Sequence, residues 1–344
     1  MYESDIMVRP TGWAGYEDFT YHGGALEVAR RLAPGAPAPW IDLSTGINPH
    51  AYPLPVLEPE DWTRLPERAA LAELERVAAR RYGAESDNVV AGPGSQALIQ
   101  TLARLAPKGI VAALAPTYGG HAEAFGAAGA RVREAASLGA LAECDIAIVA
   151  NPNNPDGRIA SRLDLLDLHA LLAPRGGMLI VDEAFADFDG AEESLAPVLP
   201  AQRAIVLRSF GKTFGLGGLR LGFAVASQDV AEPLRAALGP WPVSGPAIAI
   251  GTRALADSDW VSATRMRLDQ DVARLDPLLL RSGWRILGGT RLFRLAARPD
   301  ALAAFERLLG AGILVRPFAG EKEQLRFGIP ADEDQWRRLA AALG

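Results

Sequence analysis

The chain has 344 residues, 49% of them hydrophobic and 22% charged, with a formal net charge of −6. This composition indicates a globular protein of one large or two modest domains, and no basic block favours nucleic acid as a partner. No apolar run reaches the roughly 18 residues that span a bilayer, and residues 1–5 show no secretory signal, so we expect a cytoplasmic protein without a membrane partner. The single cysteine, Cys144, excludes an internal disulfide framework or a cysteine-based cluster, and we predict no metal site.

The N-terminal region differs in composition from the rest of the chain. Residues 1–66 are rich in proline and glycine and weakly periodic, which predicts an extended arm. Residues 67–82 carry apolar side chains at helical spacing and stop at Gly83, which predicts a helix with a glycine cap.

Four short apolar runs are typical of buried parallel strands, and they cover residues 109–114, 145–150, 178–181 and 204–207. Helical segments lie between them, including residues 161–172, where Ser161 and Asp164 have capping spacing. Strands that alternate with helices predict an α/β fold with a mostly parallel sheet.

Beyond Pro246 the pattern changes. We expect a helix over residues 247–280 and then a mixed segment of strands and a helix near residues 300–309, which indicates a smaller α+β domain. The predicted organisation is an arm at residues 1–45 that contributes to the small domain, a large domain at 46–245 and a small domain at 246–344.

Polar side chains come after three of the predicted strands. Asn154 comes after residue 150, Asp182 after residue 181, and Ser209 and Lys212 after residue 207. Each of these residues, taken alone, is as typical of a turn or a helix cap as of a catalytic or binding role. Because ligands of open α/β sheets bind outside the carboxyl ends of the strands, three such ends in order predict one shared pocket.

The segment from Ser209 to Arg220 presents a lysine and an arginine in a glycine-rich turn. A desolvated lysine can lose its proton and condense with an aldehyde, and an arginine suits a phosphate. Together they indicate pyridoxal phosphate (PLP), an aldehyde that carries its own phosphate. A buried Asp182 would keep the pyridine nitrogen protonated, and Asn154 would donate to the ring oxygen.

The remaining cofactor contacts are predicted from position. Ser95 and Gln96 come after a Gly-Pro-Gly turn and open a helix whose N–H groups suit a phosphate, with Ser209 and Arg220 completing the cradle. Tyr118, just after a strand, is placed to stack on the ring.

These motifs, taken in order over nearly the whole chain, resemble the fold-type I PLP-dependent transferases, in the branch that holds histidinol-phosphate aminotransferases and threonine-phosphate decarboxylases of cobalamin synthesis. The matching segments are residues 22–24, 42–49, the Asn154 turn, 182–185, 209–220, 315–317 and 325–326. The resemblance implies a large domain with a mostly parallel sheet, a smaller α+β domain and a homodimer.

Within that branch, the early His-Gly-Gly and the Ile-Asn-Pro segment look like the decarboxylase group. The resemblance then implies decarboxylation of L-threonine O-3-phosphate to (R)-1-aminopropan-2-yl phosphate, with transamination of a phosphorylated amino compound such as histidinol phosphate as the alternative. It also implies a set of residues that bind the small phosphorylated substrate: His22, Gly23, Asn48, Asn154, Arg316 and Arg326. Which arginine binds the carboxylate and which the phosphate stays open.

Two positions depart from the related decarboxylases. Gly46 stands where they carry an asparagine, which removes a substrate contact or leaves it to the backbone, Ser44 or Asn48. Leu65 stands where a tyrosine usually reaches across the dimer to the cofactor phosphate.

Three other enzyme classes share fragments of these motifs. Gly92, Gly94 and Ala97 imitate a dinucleotide fingerprint, but no acidic residue stands at the next strand end. Residues 211–213 imitate a P-loop without its first glycine, and Ser209 with Lys212 imitates a serine hydrolase without that family's later motifs. PLP chemistry is therefore the interpretation that the sequence favours.

Overall fold

The computed structural model describes residues 13–199 and 203–344, so residues 1–5, where we expect no secretory signal, lie outside the described residues. The chain forms two compact units, a larger one of residues 50–266 and a smaller one of residues 13–49 together with 267–344. The strands run β1 Ile41–Asp42, β2 Val89–Gly92, β3 Ile110–Leu114, β4 Arg131–Ala135, β5 Ile146–Ala150, β6 Met178–Asp182, β7 Ala204–Ser209, β8 Gly222–Ala226, β9 Arg285–Thr290, β10 Phe293–Ala297, β11 Ile313–Leu314, β12 Arg316–Phe318 and β13 Glu321–Gly328.

The helices connect and cover these strands. They run α1 Glu17–Tyr21, α2 Leu26–Leu32, α3 Pro59–Thr63, α4 Arg68–Tyr82, α5 Ser95–Leu105, α6 Gly119–Ala127, α7 Leu138–Leu141, α8 Arg162–Leu172, α9 Phe210–Thr213, α10 Gln228–Leu238, α11 Gly245–Ala256, α12 Ser258–Arg281, α13 Ala301–Gly310 and α14 Glu333–Leu343.

A seven-stranded sheet in the order β2-β8-β7-β6-β5-β3-β4 forms the centre of the larger unit. The five strands from β7 to β4 are parallel, whereas β8 is antiparallel to both of its neighbours. Along β5, Ile146 and Ile148 pack into one apolar cluster and Ala147 and Val149 into another, so both faces of the sheet are covered. The four predicted strands and the α/β class are confirmed.

Two predicted helices of the larger unit begin and end near the residues that predicted their ends. Helix α4 stops at Gly83, whose φ of +70° lies in the left-handed region that favours glycine. Helix α8 is capped by Ser161, whose side chain accepts a hydrogen bond from the Asp164 backbone.

The prediction of one helix over residues 247–280 is wrong. The chain breaks at Asp257 between α11 and α12, because its backbone leaves the helical region at φ −89° and ψ 79°. The Asp257 carboxylate then accepts a hydrogen bond from the backbone of Trp260 at 2.9 Å, as a helix cap does.

The smaller unit contains an antiparallel sheet in the order β12-β13-β10-β9 and a parallel pair of β1 with β11. Helices pack beside these strands around an apolar cluster that includes Trp13, Phe19 and Phe305. The extended arm predicted for residues 1–66 is wrong where the chain forms α1, α2 and α3, and its described part also supplies buried aromatic side chains.

No helix within residues 13–199 and 203–344 combines the length and the apolar character that crossing a membrane requires.

Candidate active site

The lysine turn lies where β7 passes directly into α9. Phe210 and Phe214 are completely buried and stack on each other at 4.3 Å between ring centroids, which anchors the turn. Lys212 lies half-buried between them in the chain, with its Nζ 5.6 Å from the centroid of the Phe185 ring. A Cβ at Gly211 would lie 2.8 Å from the Gly217 Cα, so only glycine lets the turn fold back this closely.

The parallel register brings the polar strand ends to one edge of the sheet. Asp182 is opposite Ala150 of β5 on one side and Leu207 of β7 on the other. Asn154 comes four residues after β5 and is buried, and Ser209 ends β7. Because neighbouring parallel strands end together, Asp182, Asn154 and the Lys212 turn are grouped at one end of the larger unit.

A buried histidine that the sequence reasoning missed pairs with Asp182. The His121 Nε2 lies 2.8 Å from one carboxylate oxygen of Asp182, and the other oxygen accepts a hydrogen bond from the backbone of Ala184. Within the described residues, the buried Nδ1 of His121 has no hydrogen-bond partner. The contact orients the carboxylate of Asp182. The tautomer of His121 is decided by which of its two ring nitrogens carries the proton. The histidine three residues after Tyr118, at the start of α6, was the available signal.

The Asn154 turn and the Tyr118 segment are held together by Asn153. Its side-chain amide donates to the Pro116 carbonyl at 2.9 Å and accepts from the Thr117 hydroxyl at 2.8 Å. The Tyr118 ring packs edge-on against His121, with 5.7 Å between centroids. These contacts place Tyr118 beside His121 and tie the turn that carries Asn154 to the Tyr118 segment.

Backbone and guanidinium groups form a cradle at the start of α5. A Cβ at Gly94 would lie 2.7 Å from the Arg220 Nη2, and one at Gly222 would lie 2.4 Å from the Ser95 amide nitrogen. Arg220 itself has a φ of +56°, a conformation that non-glycine residues adopt at a cost. The first N–H groups of a helix have no partner within it, so Ser95 and Gln96 present donors beside a cation.

The Gln96 side chain ties the cradle to the ring-stacking residue. Its carbonyl oxygen accepts a hydrogen bond from the Tyr118 hydroxyl at 2.8 Å. The larger unit thus offers an anion cradle in which Gly94 and Gly222 leave no room for a side chain of their own. It also offers a carboxylate paired with histidine and a half-buried lysine. This donor set fits PLP, which needs a phosphate site, an acid opposite its ring nitrogen and an amine for its aldehyde.

The topology also separates this site from a dinucleotide fold. A dinucleotide fingerprint requires its first strand and the next one along the chain to be parallel neighbours in a βαβ unit. Here β2, which carries Gly92, is separated in the sheet from β3 by four other strands.

In the smaller unit, Arg316 of β12 and Arg326 of β13 lie directly opposite each other on antiparallel strands. Both are buried; Arg316 Nη2 donates to the Tyr21 carbonyl at 3.1 Å, and Arg326 Nη2 donates to the Ser44 carbonyl. Burial, and after it the like charge of Arg316, hold the pKa of the Arg326 guanidinium well below its usual value. Two cations at one cross-strand position form a place that an anion would stabilise.

The His22 segment packs on the strand end that carries Ser44. A Cβ at Gly23 would lie 2.4 Å from the Ser44 carbonyl oxygen, so this residue must be glycine. The Gly24 amide donates to the Ser44 hydroxyl at 2.8 Å, and that hydroxyl donates to Asp42 at 2.6 Å. The segment therefore brings His22 and Gly23 to the same strand end whose carbonyl binds Arg326.

Gly46 and Asn48 lie further along the same stretch, and both are buried. The φ of Gly46 is +61°, in the left-handed region that glycine and asparagine tolerate best. The departure from asparagine at this position thus preserves the backbone conformation, whatever it does to a side-chain contact.

A family model for class I and II aminotransferases matches residues 38–343. The chain is 44% identical to a threonine-phosphate decarboxylase of Pseudomonas aeruginosa over 94% of this chain and 96% of that protein. It is 42% identical to one of Sinorhizobium over 94% and 97%. Identity to a histidinol-phosphate aminotransferase of Symbiobacterium thermophilum is 32% over 81% and 82%.

Solved structures share the fold. A histidinol-phosphate aminotransferase of Sinorhizobium meliloti in complex with pyridoxal-5'-phosphate aligns with a TM-score of 0.80 at 22% identity, over 92% of this chain and 93% of that one. An L-threonine-O-3-phosphate decarboxylase of Porphyromonas gingivalis aligns with a TM-score of 0.71 at 19% identity, over 88% and 98%.

Proposed function

Since the chain belongs to the family of class I and II aminotransferases, which depend on PLP, we propose that it decarboxylates L-threonine O-3-phosphate to (R)-1-aminopropan-2-yl phosphate in cobalamin biosynthesis. The observation that carries this proposal is the identity of 42–44% to two threonine-phosphate decarboxylases across 94% of the chain. The identity of 32% to a histidinol-phosphate aminotransferase supports the alternative reaction less well.

PLP, when bound, supplies an aldehyde for the substrate's amino group and a ring that accepts the electron pair of the breaking bond. We assign Lys212 as the catalytic residue, whose Nζ would bind the aldehyde of the cofactor. Asp182, oriented by His121, would hold the proton of the ring nitrogen, and Asn154 would donate to the ring oxygen.

We assign the phosphate of the cofactor to the cradle, with Tyr118 against the ring. The residues of that phosphate site are Ser95, Gln96, Ser209 and Arg220. A helix start and a guanidinium suit a dianion because both present fixed N–H donors to it.

We assign substrate binding to the smaller unit and to Asn154. The proposed residues there are His22, Gly23, Asn48, Arg316 and Arg326. A substrate with a carboxylate and a phosphate carries enough negative charge for two buried guanidinium groups. Breaking the Cα–carboxylate bond releases CO₂ and leaves Cα to take up a proton, and the contacts of these residues decide which bond is presented for cleavage.

The proposal extends to assembly and organisation. We propose a homodimer, supported by large apolar side chains that the larger unit exposes: Leu54, Val56, Trp62, Leu65 and Trp241. Leu65 cannot make the hydrogen bond that a tyrosine would make, so any contact across a dimer at this position is apolar. The domain limits after residues 45 and 245 and the cytoplasmic location stay predictions.

The decisive assay supplies phosphothreonine to the PLP-loaded protein. We expect release of CO₂ without a 2-oxo acid, and no release from the Lys212→Ala variant, which lacks the amine. Released gas and products are measured by trapping CO₂ and by mass spectrometry. If turnover requires 2-oxoglutarate and yields glutamate, the aminotransferase alternative is correct instead.

A further inference from the structure

A buried cluster of four charged side chains and one threonine lies beside the proposed site in the larger unit. We call it the Asp187 cluster, and it consists of Arg81, Glu183, Asp187, Arg208 and Thr213. One oxygen of Asp187 accepts from Arg81 at 3.1 Å and from Arg208 at 2.9 Å, and its other oxygen accepts from the Thr213 hydroxyl at 2.6 Å. The other end of the Arg208 guanidinium donates to Glu183 at 2.7 Å.

The cluster has no net charge, and each of its charges is compensated by another member. Two guanidinium groups face two carboxylates, and none of these four side chains is more than 11% exposed. Burial alone would raise the pKa of Asp187, but Arg208 and Arg81 together outweigh it and hold that pKa below its usual value. Each charge is therefore compensated inside the protein, where an unpaired one is costly.

Three cluster members are chain neighbours of proposed site residues. Glu183 comes after Asp182, Arg208 precedes Ser209, and Thr213 comes after Lys212. The side chains of the cluster thus join the end of β6, the end of β7 and the turn of α9. A hydrogen bond to a charged acceptor fixes a short turn more firmly than one between neutral groups.

We propose that Thr213 and Asp187 are positioning residues, which fix the turn of α9 so that the Lys212 Nζ is held at a set distance from Asp182. This proposal rests on the proposed function, because it assumes that Lys212 carries the cofactor. Neither residue belongs to the proposed cofactor site; they act through the backbone that connects Thr213 to Lys212. The bond from the Thr213 hydroxyl reaches this turn directly.

The test compares Thr213→Val with Thr213→Ser. Valine keeps the shape of threonine but lacks the donor, whereas serine keeps the donor. We expect kcat of Thr213→Val to fall about 10- to 100-fold with KM within about twofold, because a small misplacement of a catalytic group has an effect of this size. Thr213→Ser should retain at least half of the wild-type kcat.

A second readout does not use turnover. The absorbance of bound PLP changes with pH as the Lys212 nitrogen takes up a proton, and its midpoint depends on what that nitrogen contacts. We expect Thr213→Val to shift this midpoint and Thr213→Ser to leave it in place. The matched control is Leu172→Ala, a core change beside Gly177, just before β6 and so at the opposite end of that strand from Asp182.

The possible outcomes distinguish an effect on the placement of Lys212 from an effect on the stability of the protein. Leu172→Ala should lower the unfolding temperature without moving the midpoint. If Thr213→Val behaves like Leu172→Ala, with an unchanged midpoint and kcat, Thr213 is only structural and the proposal is overturned. A wild type that shows the PLP absorbance but releases no CO₂ would overturn the decarboxylase proposal, while the midpoint still decides the role of Thr213.

Discussion

Each of the two units buries an arginine, and the neighbouring charge that acts most strongly on each arginine is opposite in sign. Arg208 of the larger unit lies between Glu183 and Asp187, which raise the pKa of its guanidinium against the effect of burial. Arg326 of the smaller unit lies opposite Arg316, whose like charge lowers its pKa further after burial and acts more strongly than the opposite charge of Asp42.

The difference distinguishes two uses of the same side chain. The charge of a guanidinium between two carboxylates is already compensated, so it serves the fold and the geometry of its neighbours. A guanidinium opposite another is stabilised when an anion arrives, which suits it to the binding role that we propose for Arg326. Burial alone would not have told the two apart, because both side chains are at most 5% exposed.

The largest effect is expected from Arg208→Met. This change leaves Glu183 and Asp187 buried without their shared cation, and breaking such a pair costs about 3–5 kcal/mol. The free energy of unfolding, from urea titration, measures the loss. The cation–π contact of Arg208 with Tyr82, at 4.5 Å, disappears as well.

A second change tests the cause. Adding Glu183→Gln to Arg208→Met should recover part of the stability, because a neutral amide tolerates burial better than a carboxylate. If the double variant is less stable than Arg208→Met, the charge argument is wrong and packing explains the loss.

The next effect concerns binding, and it is expected from Arg326→Met. Losing charge-assisted hydrogen bonds of about 1.5–3 kcal/mol should raise KM for phosphothreonine by about 10- to 100-fold. Stability should fall less than in Arg208→Met, since removal of Arg326 relieves the repulsion with Arg316. Enzyme kinetics and urea titration measure the two expectations.

The PLP absorbance serves as the internal control for this variant. It should be unchanged in Arg326→Met, because the proposed cofactor residues belong to the larger unit. An unchanged KM would place Arg326 outside substrate binding and remove the contrast with Arg208.

The sequence predicted the positions that end apolar runs. Asp182 and Lys212 stand just after buried strand residues, so their place at the edge of the sheet is a consequence of the parallel order. His121 was missed because its partner lies 61 residues away, and a lone histidine gives no signal of a paired carboxylate.

Two other features needed the folded chain. The break at Asp257 was missed because both flanking segments keep helical spacing, and only the backbone dihedral angles separate them. The opposition of Arg316 and Arg326 depends on the register of β12 with β13, which residue types do not reveal.

The smallest effect is expected at Gly46, where backbone and side-chain roles can be separated. Its φ of +61° should let Gly46→Asn fold with a loss of under about 1 kcal/mol, whereas Gly46→Ala loses about as much or more because alanine gains no local hydrogen bond there. If the asparagine found in related decarboxylases contacts substrate, Gly46→Asn lowers KM for phosphothreonine and Gly46→Ala does not. Equal KM values in both variants would assign that contact to Ser44 or Asn48, and would show that Gly46 serves only the backbone of the arginine site.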